Sequence, residues 1–157
     1  MTVRRATADD ATAMESLLLA EAPHITLSTD GAGAEPVLAS MRADALARNM
    51  ESGRFCYWVF TEPTDHALRG LIGLREGTHL YQLFVRSGWH RQGVGRTLWL
   101  YMLSDWPSQW SRPEHITVNA SPYGLPAYKA LGFVPTGPRA ETNGIAFVPM
   151  RCVLNHH

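Results

Sequence analysis

The residues best suited to chemistry form one run in the middle of the chain, LFVRSGWHRQGVGRTL at positions 83–98. Its apolar start is typical of a strand end, and the GVG at 93–95 is followed by apolar residues at helical spacing. Glycines let the backbone approach a ligand, and the first N–H groups of a helix lack intrahelical partners. With the helix dipole behind them, these groups form an anion site suited to phosphate, to which Arg91 and Arg96 add charge.

Two phosphate-binding motifs do not fit this run. The P-loop requires Gly-Lys-Ser/Thr, but Lys129 is the only lysine of the chain. The dinucleotide motif requires a third glycine where this chain has Leu98. A bare Gly-x-Gly before a helix is equally compatible with a tight strand-to-helix turn.

Composition limits the classes of protein that remain. The 157 residues are 45% hydrophobic and 18% charged, with a net charge of zero, so we predict one globular domain over 1–155. The neutral balance favours neither a nucleic-acid nor a membrane surface. Cys56 and Cys152 are expected to be buried free thiols, and no Cys/His spacing indicates a metal site. Without an apolar leader or membrane span, a cytoplasmic location is expected.

The first half of the chain supplies a helical region and then a run of strands. A strand is predicted at 2–6 and a helix after Asp9 or Asp10, followed by a Gly-rich loop over 23–36. A second helix is predicted over 35–50. The runs 55–60, 70–75 and 78–85, with a turn at 61–66, predict an antiparallel meander whose first strand is nearly fully buried.

The second half begins with the helix after the glycine loop, predicted to extend to about residue 106. The strand at 115–119 follows a strand–helix crossover, so it should lie parallel to 78–85. A turn at 121–125 and a short helix at 126–131 come next. Two last strands, 133–139 and 145–154, are predicted to form a hairpin around Asn143-Gly144.

Two separated segments carry a family resemblance. The run from Leu83 through Gly95 resembles the acetyl-CoA loop of the GNAT N-acetyltransferase superfamily, Arg/Gln-x-x-Gly-x-Gly/Ala, with His90 at its first position. The segment VNASP at 118–122, followed by YKALGF at 128–133, is similar to the family's next strand and helix with a Tyr-x-x-Leu-Gly-Phe ending. The chain is identified as a member of this superfamily over about 2–153.

The resemblance implies a mixed α+β fold. Its sheet of about seven strands is twisted and mostly antiparallel, has a V-shaped splay between strands 4 and 5, and is flanked by about four helices. It also implies acetyl-CoA or coenzyme A as co-substrate, without a metal, with pantetheine in the splay and pyrophosphate on the loop amides. The cofactor-binding residues implied are Phe84, Val85, Arg91, Gln92, Gly93, Val94, Gly95, Arg96, Asn119 and Ser121.

The catalytic residues implied are fewer. Tyr128 matches the family's general acid, although a core aromatic residue would also suit its position. The base that deprotonates the amine is left open among Glu76, His79 and Glu141. Asn119 and Ser121 are equally explained as local cap or turn residues.

The leading prediction is an N-acetyltransferase in which a primary amine attacks acetyl-CoA directly, without a covalent enzyme intermediate. The acceptor would be a small molecule or a peptide, and the protein a monomer or homodimer without nucleic-acid or membrane partners. The alternative is an acyl-CoA-binding sensor or interaction module with the same fold. A toxin that acetylates charged tRNA is disfavoured by the neutral charge.

Overall fold

A computed structural model describes residues 2–65 and 67–154. The domain ends predicted at residues 1 and 155, and the end of the turn at His66, lie outside the described residues. Eight strands form one mixed sheet in the order β1-β2-β3-β4-β5-β8-β6, with β7 paired to β8. The strands are β1 (Thr2–Arg5), β2 (Phe55–Thr61), β3 (Leu68–Arg75), β4 (His79–Val85), β5 (His115–Ala120), β6 (Val134–Pro135), β7 (Ala140–Thr142) and β8 (Ile145–Val153).

The predicted meander is present, because β1 to β4 pair antiparallel in chain order. Apolar and β-branched residues fill β2 and β3, and most of their side chains are buried on both faces. In the β3–β4 pairing, Gly73 lies opposite Gln82 and Leu74 opposite Leu80. Tyr81 is therefore an extra, bulged residue in β4, and such bulges bend a strand and redirect its side chains.

The contact between β4 and β5 is short. The two strands run parallel, as predicted, but they pair only at His79–Thr117 and Leu80–Val118. The remaining five residues of β4 leave β5, so the predicted V-shaped splay between strands 4 and 5 is confirmed. The backbone groups along its inner edges are left for a ligand to pair.

Helices cover both faces of the sheet. Five α-helices are found in the described residues: α1 (Ala11–Glu21), α2 (Glu35–Ser40), α3 (Ala43–Glu51), α4 (Val94–Ser104) and α5 (Leu125–Ala130). One buried core packs α4 against strands on both sides of the splay, including β2, β3, β5 and β8. The other packs α1 and α3 against β2 and β3. The splay is therefore backed by apolar packing on the α4 face.

Two predicted elements differ from the structure. The helix predicted over 35–50 is two helices, because the chain leaves helical geometry at Met41 and Arg42, where Arg42 is extended with ψ 151°. The strand predicted over 133–139 is limited to β6, since Pro135 and Pro138 have no N–H to donate to a sheet ladder. Pairing resumes in β7, and Asn143-Gly144 forms the predicted hairpin turn with positive φ at both residues.

No helix in the part of the chain that the structure describes is long and apolar enough to cross a membrane.

Candidate active site

The splay opens into a cavity of about 800 Å³. The inner edges of β4 and β5 and the glycine loop form one part of its wall. Residues from the end of α1, from α2 and from β8 form the other. The cavity therefore joins a groove along β4 to a chamber between the first helices and the last hairpin.

The glycine loop ends in an uncapped helix N-terminus. Gly93 precedes α4 in the left-handed conformation, with φ +79°, and no side chain caps this end of the helix. A Cβ built on Gly93 would meet no atom within 4 Å, so glycine is needed for conformation and leaves open space beside the amides. Arg91, also at positive φ (63°), lines the cavity with Arg96. This geometry is that of an anion site at a helix N-terminus.

Most of the predicted cofactor-binding residues line this one cavity: Phe84, Val85, Arg91, Gly93, Val94, Gly95, Arg96, Asn119 and Ser121. Gln92 does not, and its side-chain amide donates to the Gly88 carbonyl at 3.0 Å. The Ser121 hydroxyl accepts a hydrogen bond from the Gly124 amide at 3.0 Å, which is the local turn role weighed above. Its place in the cavity leaves the binding role as a prediction.

Tyr128 lies in the cavity wall and is 8% exposed. Its ring packs edge-on against Phe133 at 5.6 Å between centroids, and its hydroxyl has no hydrogen-bond partner among the described residues. Burial raises the pKa of the phenol far above its ordinary value, so the hydroxyl keeps its proton at neutral pH. The side chain can donate a hydrogen bond into the cavity.

Of the three base candidates, only His79 lines the cavity. Its Nδ1 lies 2.8 Å from the Thr117 hydroxyl. Burial, reinforced by the nearby Arg75 cation, lowers the pKa of His79 to about 4. The imidazole is therefore neutral at pH 7 and can accept a hydrogen bond, but it is a weak base.

The two carboxylate candidates lie outside the cavity. Glu76 is half-exposed and paired with Arg54, whose hydrogen bond lowers the pKa of the carboxylate. Glu141 pairs with Arg139 at 2.9 Å on the exposed hairpin strand β7. Their predicted role as base stays a prediction, which these positions do not favour.

A polar cluster at the mouth of the cavity was not predicted. Glu21, at the end of α1, is 5% exposed and accepts a hydrogen bond from the Ser87 hydroxyl at 2.8 Å. Its Oε1 also lies 3.5 Å from His90 Nε2 and 3.7 Å from His24 Nε2. The one available sequence signal was a carboxylate on the apolar stripe of α1, where Met14, Leu17 and Leu18 are fully buried.

His90 connects this cluster across the mouth. Its Nε2 lies 2.6 Å from the Val85 carbonyl and its Nδ1 2.9 Å from the Tyr123 hydroxyl. Because a carbonyl can only accept, these partners assign the tautomer with hydrogen on Nε2, and Nδ1 accepts from Tyr123. The loop after β4 is thereby hydrogen-bonded to the loop after β5.

A contact that we call the clasp, formed by residues 26–27 with 144–145, lies beside the chamber. Thr26 and Ile145 form an isolated antiparallel bridge, and the Leu27 amide donates to the Gly144 carbonyl at 2.8 Å. The segment between α1 and α2 is thus joined to the tip of the last hairpin. Since Ile25 and Ile145 line the cavity, the clasp lies at its wall.

Within the described residues, no group of three or more His, Cys, Asp or Glu side chains has the arrangement of a metal site.

The family model for the acetyltransferase (GNAT) domain matches residues 24–154. The chain belongs to the GNAT acetyltransferase family. No curated protein sequence is significantly similar to it.

Solved structures show the same fold at low sequence identity. A GCN5-related N-acetyltransferase from Rhodopseudomonas palustris is 18% identical, with a TM-score of 0.72 over 98% of this chain and 95% of the other. The PaiA N-acetyltransferase from Thermoplasma acidophilum, in complex with coenzyme A, is 16% identical, with a TM-score of 0.70 and 98% of each chain covered. The ribosomal-protein-S5-alanine acetyltransferase from Vibrio fischeri is 17% identical, with a TM-score of 0.66 over 96% and 91%.

Proposed function

We propose that this chain is an acetyl-CoA-dependent N-acetyltransferase that works as one domain and transfers the acetyl group directly to a primary amine. The single observation that carries the proposal is the cavity that joins the uncapped N-terminus of α4 to the splay between β4 and β5. One continuous space can hold both a diphosphate and an extended thiol-bearing arm. The coenzyme A complex of the Thermoplasma relative supports the same ligand class.

The residues of this chain would divide the binding between them. The amides that begin α4, with Arg91 and Arg96, would hold the diphosphate by hydrogen bonds and charge. The unpaired inner edge of β4 at Phe84 and Val85 would pair with the amides of the pantetheine arm. His90 already donates to the Val85 carbonyl at 2.6 Å, so an arm that uses this carbonyl must bind its second lone pair or displace the imidazole.

Catalysis would rest mainly on orientation. Acetyl-CoA supplies the activated acyl group, and the cavity holds the amine against it, so the chain need not form a covalent intermediate. A free amide of β4 near Val85 would donate to the oxygen on which negative charge develops. Tyr128 would donate its hydroxyl proton, as a hydrogen bond, to the departing sulfur. A thiol of ordinary pKa, about 8.5, leaves readily, so this donor assists the step without being essential.

The direct test is release of free thiol from acetyl-CoA in the presence of a panel of primary amines. We expect turnover with at least one amine and acetylation of that amine by mass spectrometry. Coenzyme A binding without turnover on any amine would instead define an acyl-CoA-binding module. No binding and no turnover would refute both functions.

Gly93→Asp tests the assigned loop. The new carboxylate would lie beside the amides that should hold the diphosphate, and the residue would have to adopt φ +79°. We expect coenzyme A binding, measured by calorimetry, to weaken at least 100-fold. Gly53→Asp is the matched control, because Gly53 also has positive φ (75°) but lies outside the cavity. Unchanged binding in Gly93→Asp would place the diphosphate elsewhere.

A further inference from the structure

Three arginines line the cavity without an ion-pair partner among the described residues: Arg75, Arg91 and Arg96. By contrast, Arg54, whose partner is Glu76, lies outside the cavity. Arg91 and Arg96 flank the glycine loop, where the proposed diphosphate accounts for their charge. Arg75 is not explained in this way: its charge acts on the neighbouring Glu76, but that carboxylate is ion-paired to Arg54, so Arg75 can bind another anion.

Arg75 lies at the opposite end of β4 from the glycine loop. It ends β3 and pairs with His79, the first residue of β4, whereas the loop follows Val85, the last residue of β4. At about 3.3 Å per residue, the seven residues of β4 place the two cationic regions roughly 20 Å apart along the strand. Arg75 therefore belongs to the chamber that remains for the acceptor.

The surroundings hold the Arg75 side chain at the chamber wall. Its guanidinium carbon lies 5.8 Å from the centroid of the Tyr81 ring, a cation–π distance. Its charge also contributes to the low pKa of His79. Arg75, Tyr81 and His79 all line the cavity, and neither the tyrosine ring nor the neutral imidazole can neutralise the guanidinium.

The carboxylate that lines the cavity already has partners within the protein. Glu21 is the only carboxylate among the described lining residues, and it lies at the mouth rather than in the chamber. It accepts a hydrogen bond from Ser87 and lies within 4 Å of nitrogens of His24 and His90. A polyamine would meet unpaired arginines and no free carboxylate, which is unfavourable for a substrate with several positive charges.

Gln82 supplies a polar group between Arg75 and the thioester end of the groove. It is 7% exposed, lines the cavity, and its Oε1 has no hydrogen-bond partner. Nε2 of the same amide is not fully buried without a partner, so a 180° turn of the amide moves the oxygen to the more accessible of the two positions. There it can accept an N–H of the attacking amine. Ser40 also lines the chamber, but its hydroxyl donates to the Val37 carbonyl. Apolar lining residues of the chamber are Ile25, Val37, Met41, Ile145 and Phe147.

The clasp limits the size of the acceptor. Residues 26–27 and 144–145 are joined by backbone hydrogen bonding, so a peptide cannot pass between these two segments without separating them. A small molecule that fits inside the chamber is compatible with the clasp.

We propose that the acceptor is a small amino carboxylic acid, whose carboxylate binds Arg75 while its amine faces Gln82 and the thioester. This inference rests on the N-acetyltransferase function proposed above and names the substrate class of the same site. Arg75 is assigned as the residue that determines specificity for the carboxylate.

The test compares matched acceptors and matched variants. Alanine, β-alanine and phenylalanine are each assayed against the corresponding carboxamide, which keeps the amine but removes the negative charge. The amine of an α-amino amide is less basic and more often neutral, so intrinsic reactivity favours the amide. We expect wild type to prefer the carboxylate form of at least one pair by 10-fold or more in kcat/KM.

Arg75→Gln should remove this preference. Loss of one charge-assisted contact corresponds to about 10- to 100-fold in kcat/KM for the carboxylate substrate. We expect the loss to appear mainly in KM, with little change for the amide or for coenzyme A affinity. Arg75→Lys should restore part of the preference. Arg48→Gln, which removes an exposed arginine of α3 outside the cavity, should have no effect.

Several outcomes would overturn the inference. One is equal loss for acid and amide in Arg75→Gln, and another is wild-type turnover of spermidine or of peptides above every amino acid. If no amine is turned over, calorimetry of amino-acid binding to the coenzyme A complex decides the question. Binding that Arg75→Gln abolishes would support the inference although the enzyme proposal fails, whereas no binding would refute it.

Discussion

At the scale of single residues, Tyr128 is the group most directly placed to assist departure of the thiol. Burial raises the pKa of its phenol, so the residue is a hydrogen-bond donor rather than a phenolate at neutral pH. Complete proton transfer from such a phenol to a thiolate of ordinary pKa is unfavourable. Its contribution should therefore be the stabilisation of charge that develops on sulfur.

Tyr128→Phe should lower kcat about 10- to 100-fold, while coenzyme A affinity stays within a few-fold of wild type. The measurement is thiol release with the best amine of the panel. Tyr101→Phe is the control, because Tyr101 lies partly exposed on α4 outside the cavity. Equal rates for Tyr128→Phe and wild type would remove the tyrosine from the chemical step.

His79 predicts a specific dependence of stability on pH. Its pKa is about 4 in the folded protein against 6.5 ordinarily, so between these values the unfolded chain binds a proton that the folded chain does not. The contribution to the free energy of unfolding is therefore complete above pH 6.5 and decreases as the pH falls towards 4. Urea unfolding of wild type at pH 7.5 and pH 5.0 should show this decrease.

In His79→Gln the difference between the two pH values should shrink, because the titrating group is gone. The comparison within each protein separates this effect from any change in packing. An undiminished difference in the variant would assign the pH dependence to other groups.

At the scale of elements, the clasp depends on a glycine in a crowded place. Gly144 has φ +73°, and a Cβ there would lie 2.5 Å from Gly33 C and Ala34 N, which are backbone atoms that cannot rotate away. Gly53 has the similar φ of +75° but no atom within 4 Å of its Cβ. Substitutions at these two glycines therefore distinguish the cost of the backbone conformation from the cost of steric overlap.

Gly53→Ala should lower the free energy of unfolding by about 1–2 kcal/mol, the conformational cost alone. Gly144→Ala should cost more and should also separate residues 26–27 from the hairpin. Chemical denaturation measures the first effect. Faster turnover of bulky amines relative to small ones would reveal the second. Equal destabilisation by both variants would contradict the close contact at Gly144.

Most of the strands, the glycine loop and the last hairpin could be predicted from the sequence. Apolar runs marked β2, β3 and β4, glycines marked the loop, and Asn143-Gly144 marked the last hairpin. The break at Met41 was not predictable from apolar periodicity, which continues across it. Prolines at 135 and 138 limit β6, although the apolar pattern favoured a longer strand.

The candidate site was only partly accessible to the same reasoning. The loop and Tyr128 lie in local motifs, whereas Glu21, Ser87, His90 and Tyr123 come from three separate segments that meet only in the folded chain. In the sequence, Arg75 is only the last residue of the strand predicted over 70–75. Arg75 is of interest because it has no ion-pair partner among the described residues, and a local sequence pattern cannot show this.

At the scale of the whole molecule, the two parts of the sheet meet through only two residue pairs between β4 and β5. The α4 core supplies the remaining connection, because it includes residues from β2 and β3 as well as β5 and β8. A ligand that pairs with both inner edges would add contacts across the splay. Ligand binding and global stability should therefore be strongly linked.

Coenzyme A at 100 times its Kd should add about 2.7 kcal/mol to the free energy of unfolding. For a chain of this size that corresponds to a rise in Tm of roughly 5–11 °C. Differential scanning fluorimetry measures the shift. Gly93→Asp, with affinity at least 100-fold weaker, should gain at most about 0.4 kcal/mol at the same concentration. A shift as large as that of wild type would indicate binding outside the splay.

The hydrogen bond from His90 to the Val85 carbonyl makes the imidazole sensitive to a ligand in the groove. A pantetheine arm that donates to this carbonyl either shares it with the Nε2 hydrogen, which weakens the existing hydrogen bond, or turns the ring towards the Glu21 carboxylate, whose Oε1 lies 3.5 Å from Nε2. Each of these changes alters the nitrogen-15 chemical shifts of the imidazole. One histidine signal in a magnetic resonance spectrum would thus report whether the groove is filled, with no label on the ligand.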